Sequence, residues 1–192
     1  MRAFLLTAAA ASLLLVGCGS EAQTTNATAA PDMAELPVDT SEQLEEETMT
    51  TFTAQQGIIQ AINKTEDGTF VELTHNDEPL TFFMSSDTIV VNDQGDDITL
   101  EVGMNVSGFM YTNSAMVLIY PPRYSPLLVI AATDDAGQYN VSAFNDELVN
   151  EDHTLRLQAD VAAGNYAVFY TMSTRSIPAM TTPHRIISLP TQ

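Results

Sequence analysis

Two proline-containing loops carry the residues whose types could bind another molecule. The first contains Tyr120–Tyr124, where two tyrosines flank an arginine after a diproline, and the second contains Thr174–Ser176. An arginine guanidinium can donate paired hydrogen bonds to a carboxylate or phosphate, and tyrosine combines apolar contact area with a polar tip. The diproline prevents regular strand pairing and favours an extended loop. The candidate binding residues are Tyr120, Pro121, Pro122, Arg123, Tyr124, Thr174, Arg175 and Ser176.

Each of these features also has a structural explanation. The first loop could be a crossover whose Tyr and Ile side chains cover the open end of the fold. Three of the four arginines in the folded part lie in or beside the loops, where they could gather into a positive spot for an anionic ligand. Each could equally pair with a nearby carboxylate. The four are Arg123, Arg156, Arg175 and Arg185.

Cys18 is the only cysteine of the chain, and it follows a short apolar segment. Arg2 precedes the apolar run Phe4–Val16, which is shorter than the about 20 residues that a membrane-spanning helix needs and suits a secretory signal. The segment Leu15-Val16-Gly17-Cys18 resembles a bacterial lipobox. The resemblance implies a lipoprotein signal peptide over residues 1–17 and attachment of a diacylglycerol to Cys18. An ordinary signal peptide that contains a cysteine is the alternative.

Lipidation of Cys18 would make the membrane a partner and place the chain on the extracytoplasmic face of the cell membrane. It would also use the only thiol, which leaves no cysteine nucleophile, internal disulfide or cysteine-ligated metal. Residues 19–50 contain no aromatic residue and are dominated by Ala, Thr, Glu and Pro. Such a composition cannot bury enough apolar area to offset its ordering entropy. We expect residues 18–52 to form a flexible acidic tether.

The chain is strongly acidic. It has 192 residues, 25 Asp and Glu, 6 Lys and Arg, and a formal net charge of −19. A surface of this charge repels polyanions, so the sequence argues against nucleic acid as a partner. Acidity also keeps an exported protein soluble, and that explanation competes with a dedicated role in holding cations.

The remaining chain shows the pattern of short strands. Apolar segments occur at Gly57–Ile62 and Phe70–Leu73, and a period of two follows from Leu80. Turn residues separate them at Lys64–Gly68 and His75–Pro79. Short alternating segments between Gly, Asn, Asp and Pro indicate hairpins, and no window sustains a helical stripe. The sequence predicts an all-β fold.

An internal repeat accompanies the two loops. Tyr111 and Tyr170 lie 59 residues apart, and each begins a Tyr-Thr segment that crosses a proline loop with an arginine and ends in an apolar run. This length exceeds that of a solenoid repeat and predicts two duplicated β modules over residues 53–132 and 127–192. The second would be shorter and would share or abut the strand Leu127–Ala131. Two unrelated runs of short strands are the alternative.

Three segments of the first module carry a family resemblance. They read SSDTIVVND, ITLEVGMNVSGFMYTNS and IYPPRYSPLLVI. They resemble small β domains in secreted and lipoprotein chains of Gram-positive bacteria, in which a Thr-Arg-Ser element follows an aromatic strand. Here that element is intact only at Thr174–Ser176. The resemblance implies a duplicated small OB-like barrel or sandwich module that presents loops at one end, and it implies no activity.

No motif for catalysis or metal binding stands out. Asn92–Asp97 resembles a calcium loop in composition, but it lacks the alternating Asp spacing and final Glu of an EF-hand. We interpret it as an acidic turn. The histidines His75, His153 and His184 lack the spacing of a zinc site, and no nucleophile elbow or phosphate-binding glycine loop occurs. The sequence therefore predicts no catalytic residue, metal site or cofactor.

The sequence favours a non-enzymatic binding module of the cell envelope, with an envelope protein as its partner. Two alternatives stay open. One is a lipoprotein that binds a solute or Ca²⁺, and the other is an envelope enzyme that uses a histidine and a carboxylate.

Overall fold

A computed structural model describes residues 50–191. The predicted signal peptide, Cys18 and all of the expected tether before residue 50 lie outside this range. The described residues form twelve strands and no helix, so the all-β prediction is confirmed. They accordingly contain no helix that is long and apolar enough to cross a membrane.

The strands are short apart from the first. Their bounds are β1 (Phe52–Lys64), β2 (Thr69–His75), β3 (Glu78–Met84), β4 (Ile89–Asn92), β5 (Asn105–Tyr111), β6 (Arg123–Tyr124), β7 (Leu128–Ala131), β8 (Gln138–Phe144), β9 (Leu155–Leu157), β10 (Gly164–Tyr170), β11 (Ala179–Thr181) and β12 (Arg185–Ser188).

Seven strands form one sheet in the order β4-β7-β5-β1-β2-β3-β6. The first half of β1 pairs with β5 and its second half with β2, and the register shifts between Ile59 and Ala61. Such a shift bends a strand and increases its twist. The β2–β3 hairpin turns at Asn76 and Asp77, whose φ angles of 50° and 66° suit a two-residue hairpin turn. The hairpins predicted from the alternating pattern are therefore present.

The expected closed barrel does not form in the described residues. β6 pairs with β3 and β7 pairs with β5, so a barrel would close if β6 and β7 were one continuous strand. Ser125–Leu127 separates the two strands instead. Pro126 lies in this break and has no amide hydrogen to donate to a ladder. The sheet therefore keeps two edges, at β4 and β6.

Two smaller sheets contain the remaining strands. β12, β10 and β8 form an antiparallel sheet, and β11 pairs in parallel with β9. Among the described strands, β7 pairs with β4 and β5, so it is not shared with the second sheet by strand pairing. It abuts that sheet through packing, because Leu128 and Ile130 belong to the same core cluster as Ala167 and Phe169.

β10 has both of its faces buried. Ala167 and Phe169 pack against the seven-stranded sheet. Val168 points the other way and packs against Leu155 and Leu157 of β9. A further cluster fills the inner face of the seven-stranded sheet, where Phe82 packs with Val106 and other residues of β1–β3, β5 and β7. The middle of β10 therefore joins two of the three core clusters.

The start of β1 is held in place by a carboxylate. The amide of Thr51 donates to Oε2 of Glu151 at 2.9 Å, and the Thr51 hydroxyl donates to Oε1. Phe52 stacks on Tyr111 with ring centroids 5.2 Å apart. The amide of Thr112 also donates to the carbonyl of Thr51 at 3.0 Å. The chain therefore enters the fold at a fixed point beside the end of β5.

We predict that Tyr170 contributes to the pH dependence of stability. Burial raises the pKa of its phenol above the ordinary value of 10.0. The unfolded chain then ionises first, so the free energy of unfolding falls as the pH rises through 10. In urea titrations above pH 10, Tyr170→Phe should reduce the steepness of this fall. Tyr120→Phe is the control, because the Tyr120 ring is exposed. An unchanged pH slope in Tyr170→Phe would contradict the prediction.

Candidate functional site

A groove of about 570 Å³ crosses the outward face of β1, β2 and β3, and we call it the β1–β3 groove. Strand alternation produces its surface. Val71 and Leu73 of β2 point into the core, whereas Phe70, Glu72 and Thr74 point outward. The floor therefore combines an aromatic ring with polar side chains, and the wall beyond β3 comes from the first proline loop.

Parallel pairing of β6 with β3 brings that loop to the groove. Thr81 is opposite Arg123, and the amide of Thr81 donates to the carbonyl of Pro122 at 2.9 Å. Pro121 and Arg123 consequently line the groove. Cζ of Arg123 lies 4.9 Å from the centroid of the Phe70 ring, which is the geometry of a cation–π contact.

The guanidinium of Arg123 has no carboxylate partner in the described part of the chain. The ion pair found there is instead between Arg185 and Asp97, at 3.1 Å. Glu72 lies in the same groove, but it accepts a hydrogen bond from Nδ2 of Asn63 at 2.9 Å. Arg123 therefore presents donors to solvent beside an aromatic ring and neutral amides. That combination can bind a carboxylate or phosphate group.

The other candidates of the first loop have different roles. Tyr124 is half-buried and packs against the core of the seven-stranded sheet. Pro122 supplies the carbonyl that fixes the loop to β3. Tyr120 is exposed and does not line the groove, and Leu118 and Ile119 are exposed as well. These three side chains therefore do not cover the core, whereas Tyr124 of the same loop packs against it.

The second loop is built by its own hydroxyl groups. The amide of Met180 donates to Oγ1 of Thr174 at 2.7 Å, and the Ser176 hydroxyl donates to the carbonyl of Pro178 at 2.8 Å. Arg175 is exposed. Within residues 50–191, no hydrogen bond, ion pair or strand pairing joins this loop to the first one. Its candidate residues therefore remain separate from the β1–β3 groove.

Three of the four candidate arginines contact different groups. Arg123 stacks on Phe70, Arg185 pairs with Asp97, and Nε of Arg156 donates to the carbonyl of Glu147 at 3.2 Å. Arg185 therefore pairs with a carboxylate, which is the alternative raised from the sequence, whereas Arg123 makes a cation–π contact with an aromatic ring.

Asn92–Asp97 forms the predicted turn, and its polar groups stabilise the fold. Oδ1 of Asn92 accepts the amides of Gln94 and Asp96 at 3.0 and 2.8 Å. Asp93 is 5% exposed. Its oxygens accept hydrogen bonds from the Thr133 hydroxyl at 2.6 Å and from the Gly137 amide at 3.1 Å. Among residues 50–191, no three His, Cys, Asp or Glu side chains are grouped so that they could hold a metal ion.

Sequence reasoning missed most of the groove floor. Phe70, Asn63 and Thr81 were not candidates, although they lie on predicted strands or next to a predicted turn. The available signal was Phe70 itself, an aromatic residue at an outward position of a strand whose other outward residues are polar. Phe83 of β3 lies beside it, with ring centroids 5.0 Å apart.

No protein-family model matches this chain, and no curated protein matches it in sequence. The likeness to small β domains of Gram-positive bacteria therefore stays a prediction. Function has to be argued from the residues of the site, since a fold alone does not determine it.

Proposed function

We propose that the protein is a membrane-anchored, extracytoplasmic lipoprotein that acts as a non-enzymatic binding module of the cell envelope. The lipobox-like segment that ends at Cys18 supports the anchor. The β1–β3 groove supports the binding role. The observation that carries the proposal is the guanidinium of Arg123, which lies over Phe70 at the edge of the groove without a carboxylate partner among the described residues.

The partner we propose presents an acidic group to Arg123 and apolar surface to Phe70 and Pro121. Arg123 would donate paired hydrogen bonds to that group, and the neutral amides of Gln60 and Asn63 would accept or donate at its flanks. The net charge of −19 repels a partner that is acidic throughout. Binding therefore favours an envelope protein with a local carboxylate on an otherwise neutral or basic surface.

The strand order supports an OB-like interpretation of the first module. Strand pairing connects β7, β5, β1, β2, β3 and β6 in that order. If β6 and β7 are counted as two pieces of one broken strand, this is the order of an OB-fold, which is a five-stranded, partly open barrel. OB-folds bind ligands on the face of strands 2 and 3, which is where the groove lies. We also propose the duplication, because β5–β7 and β10–β12 are both antiparallel pairs joined across a proline loop.

The test is a crosslinking experiment in intact cells. A photoreactive residue replaces Thr74 in the groove, and the captured species is identified by mass spectrometry. We expect Arg123→Ala to lower capture about tenfold or more, because a hydrogen bond to a charged group contributes about 1.5–3 kcal/mol. Arg123→Lys should restore capture only in part, since lysine cannot form the paired geometry. Arg156→Ala is the matched control, because its side chain lies on β9 outside the groove.

Three results would contradict the proposal. Capture by Arg123→Ala equal to that of the unchanged protein would exclude the groove, provided that both have the same melting temperature. If capture is lost in Arg175→Ala but not in Arg123→Ala, the binding site lies in the second loop and not in the groove. Full-length protein that carries no diacylglyceryl group on Cys18, measured by intact mass, would exclude the anchor.

A solute-binding lipoprotein is the second candidate, and the size of the groove favours it. Small-molecule sites commonly enclose about 300–1,000 Å³, and the groove falls within that range. In that case the species crosslinked at Thr74 is a small molecule instead of a protein. The same purified solute should then raise the melting temperature of the protein but not that of Arg123→Ala.

A further inference from the structure

One loop exposes a continuous apolar surface. Met116, Val117, Leu118, Ile119 and Tyr120 follow one another, and their side chains are between 44% and 96% exposed. We call Met116–Tyr120 the apolar loop. Five successive large apolar side chains in water are unusual for an isolated soluble protein, and such patches mark contact surfaces. The β1–β3 groove begins only after this loop, at Pro121.

The sequence on either side of the apolar loop differs in charge from the chain as a whole. No Asp or Glu occurs between Glu101 and Asp134, although the chain contains 25 acidic residues. Arg123, a cation, follows the loop after Pro121 and Pro122. The loop therefore lies in a part of the sequence without the acidic side chains that would oppose contact with lipid phosphates.

The base of this loop segment lies beside the point where the chain enters the fold. The hydroxyl of Thr112 donates to the carbonyl of Thr50 at 2.6 Å, and its amide donates to the carbonyl of Thr51. Thr112 directly follows β5 and begins the segment that contains the apolar loop. The described part of the chain therefore begins next to this segment.

We propose that the apolar loop inserts its side chains into the boundary between headgroups and acyl chains of the lipid bilayer. This inference rests on the proposed lipid anchor, which would hold the fold next to that bilayer. Leu118 and Ile119 supply apolar surface, and Tyr120 has the amphipathic ring that is enriched at membrane interfaces. Insertion is shallow, because the irregular backbone of a loop keeps its polar groups hydrated only at headgroup depth.

A bilayer fits these observations better than a protein partner does. The loop offers side chains without hydrogen-bonding groups apart from Tyr120, whereas protein interfaces combine an apolar centre with a polar rim. The described chain also begins at Thr50, beside the segment that contains the apolar loop, which is the side of the fold nearest to the proposed anchor along the sequence. A protein partner or a second copy on the loop is the competing outcome of the test.

A single fluorescent residue can test the proposal, since the chain contains no tryptophan. Full-length Leu118→Trp is reconstituted into phosphatidylcholine vesicles with and without brominated acyl chains, which quench tryptophan on contact. The control is Val102→Trp, at an apolar residue that is also exposed, at 64%, but lies outside the loop. We expect quenching at position 118 to exceed that at position 102 about twofold or more. Val117→Asp in the Leu118→Trp background should reduce quenching to the control value.

Equal quenching at the two positions would overturn the proposal. A blue shift of the residue 118 emission that is the same with and without vesicles would also overturn it, because a protein surface would then cover the loop. The intact mass of the same preparation reports lipidation of Cys18 separately. If no lipid is attached, the two tryptophan variants are added to preformed vesicles, so failure of the anchor does not decide the role of the loop.

Discussion

Phe169→Ala is expected to lower the free energy of unfolding by about 3–5 kcal/mol, the usual cost of emptying a fully buried phenylalanine site. Phe169 is 0% exposed and lies on the face of β10 that packs against the seven-stranded sheet. Its ring centroid is 6.1 Å from that of Tyr139, which in turn contacts Phe109 of the seven-stranded sheet. Removing the ring opens a cavity between two sheets.

The measurement is chemical denaturation followed by circular dichroism and tyrosine fluorescence. We expect one cooperative transition that moves to lower denaturant concentration with both probes, since the two sheets share a core. Phe83→Ala is the control and should cost less, because Phe83 is half-buried on the outward face. Two separate transitions, with only one displaced by Phe169→Ala, would show that the two sheets unfold as independent domains.

Gly137→Ala is expected to lower the free energy of unfolding by about 3 kcal/mol through a backbone clash. A Cβ atom at Gly137 would lie 2.0 Å from the carbonyl oxygen of Asp93. That oxygen cannot move freely. The Asp93 amide donates to the carbonyl of Ala131 at 2.9 Å, and its side chain accepts the Gly137 amide. Relieving the clash would break the hydrogen bonds that join the Asn92–Asp97 turn to the start of β8.

Gly103→Ala provides a matched control for this prediction. Gly103 has a φ of 93°, but a Cβ atom there meets no other atom within 4 Å. Its replacement should cost only about 1 kcal/mol, from the unfavourable backbone angle. Thermal unfolding of the two variants separates steric from conformational cost. If Gly137→Ala lowers the free energy of unfolding no more than Gly103→Ala does, the loop before β8 adapts to the added Cβ atom and the prediction is wrong.

Local pattern predicted the hairpins because the features that define them are local. Alternation in β2 and β3, with Asn76 and Asp77 between them, specifies both the strands and the turn. The open barrel depends on a longer-range contact. β6 pairs in parallel with β3, from which it is separated by about forty residues of sequence. A strand of two residues is too short to show an alternating pattern in the sequence. β10 also lacks a clear alternation, since Ala167, Val168 and Phe169 are successive buried apolar residues.

The sequence predicted a residue of the site only where local composition indicated binding, as it did for Arg123. Arg123 was a candidate because arginine between tyrosines is a common binding composition. Phe70 became relevant only when the pairing of β6 with β3 placed the guanidinium over its ring. Asp93 looked like an exposed turn residue, and its burial follows from the segment Thr133–Gly137 that folds over it. These contacts are non-local, so no pattern within one strand indicates them.

The fixed entry of the chain at β1 has a mechanical consequence. Phe52–Ile58 pairs with β5 over seven successive positions, and interstrand hydrogen bonds in an antiparallel pair run perpendicular to the strands. Force transmitted through Thr50 along the axis of β1 therefore loads these bonds together in shear instead of opening them one by one. We expect the fold to resist traction from its N-terminal side, which is the direction of pull that the proposed anchor at Cys18 would impose.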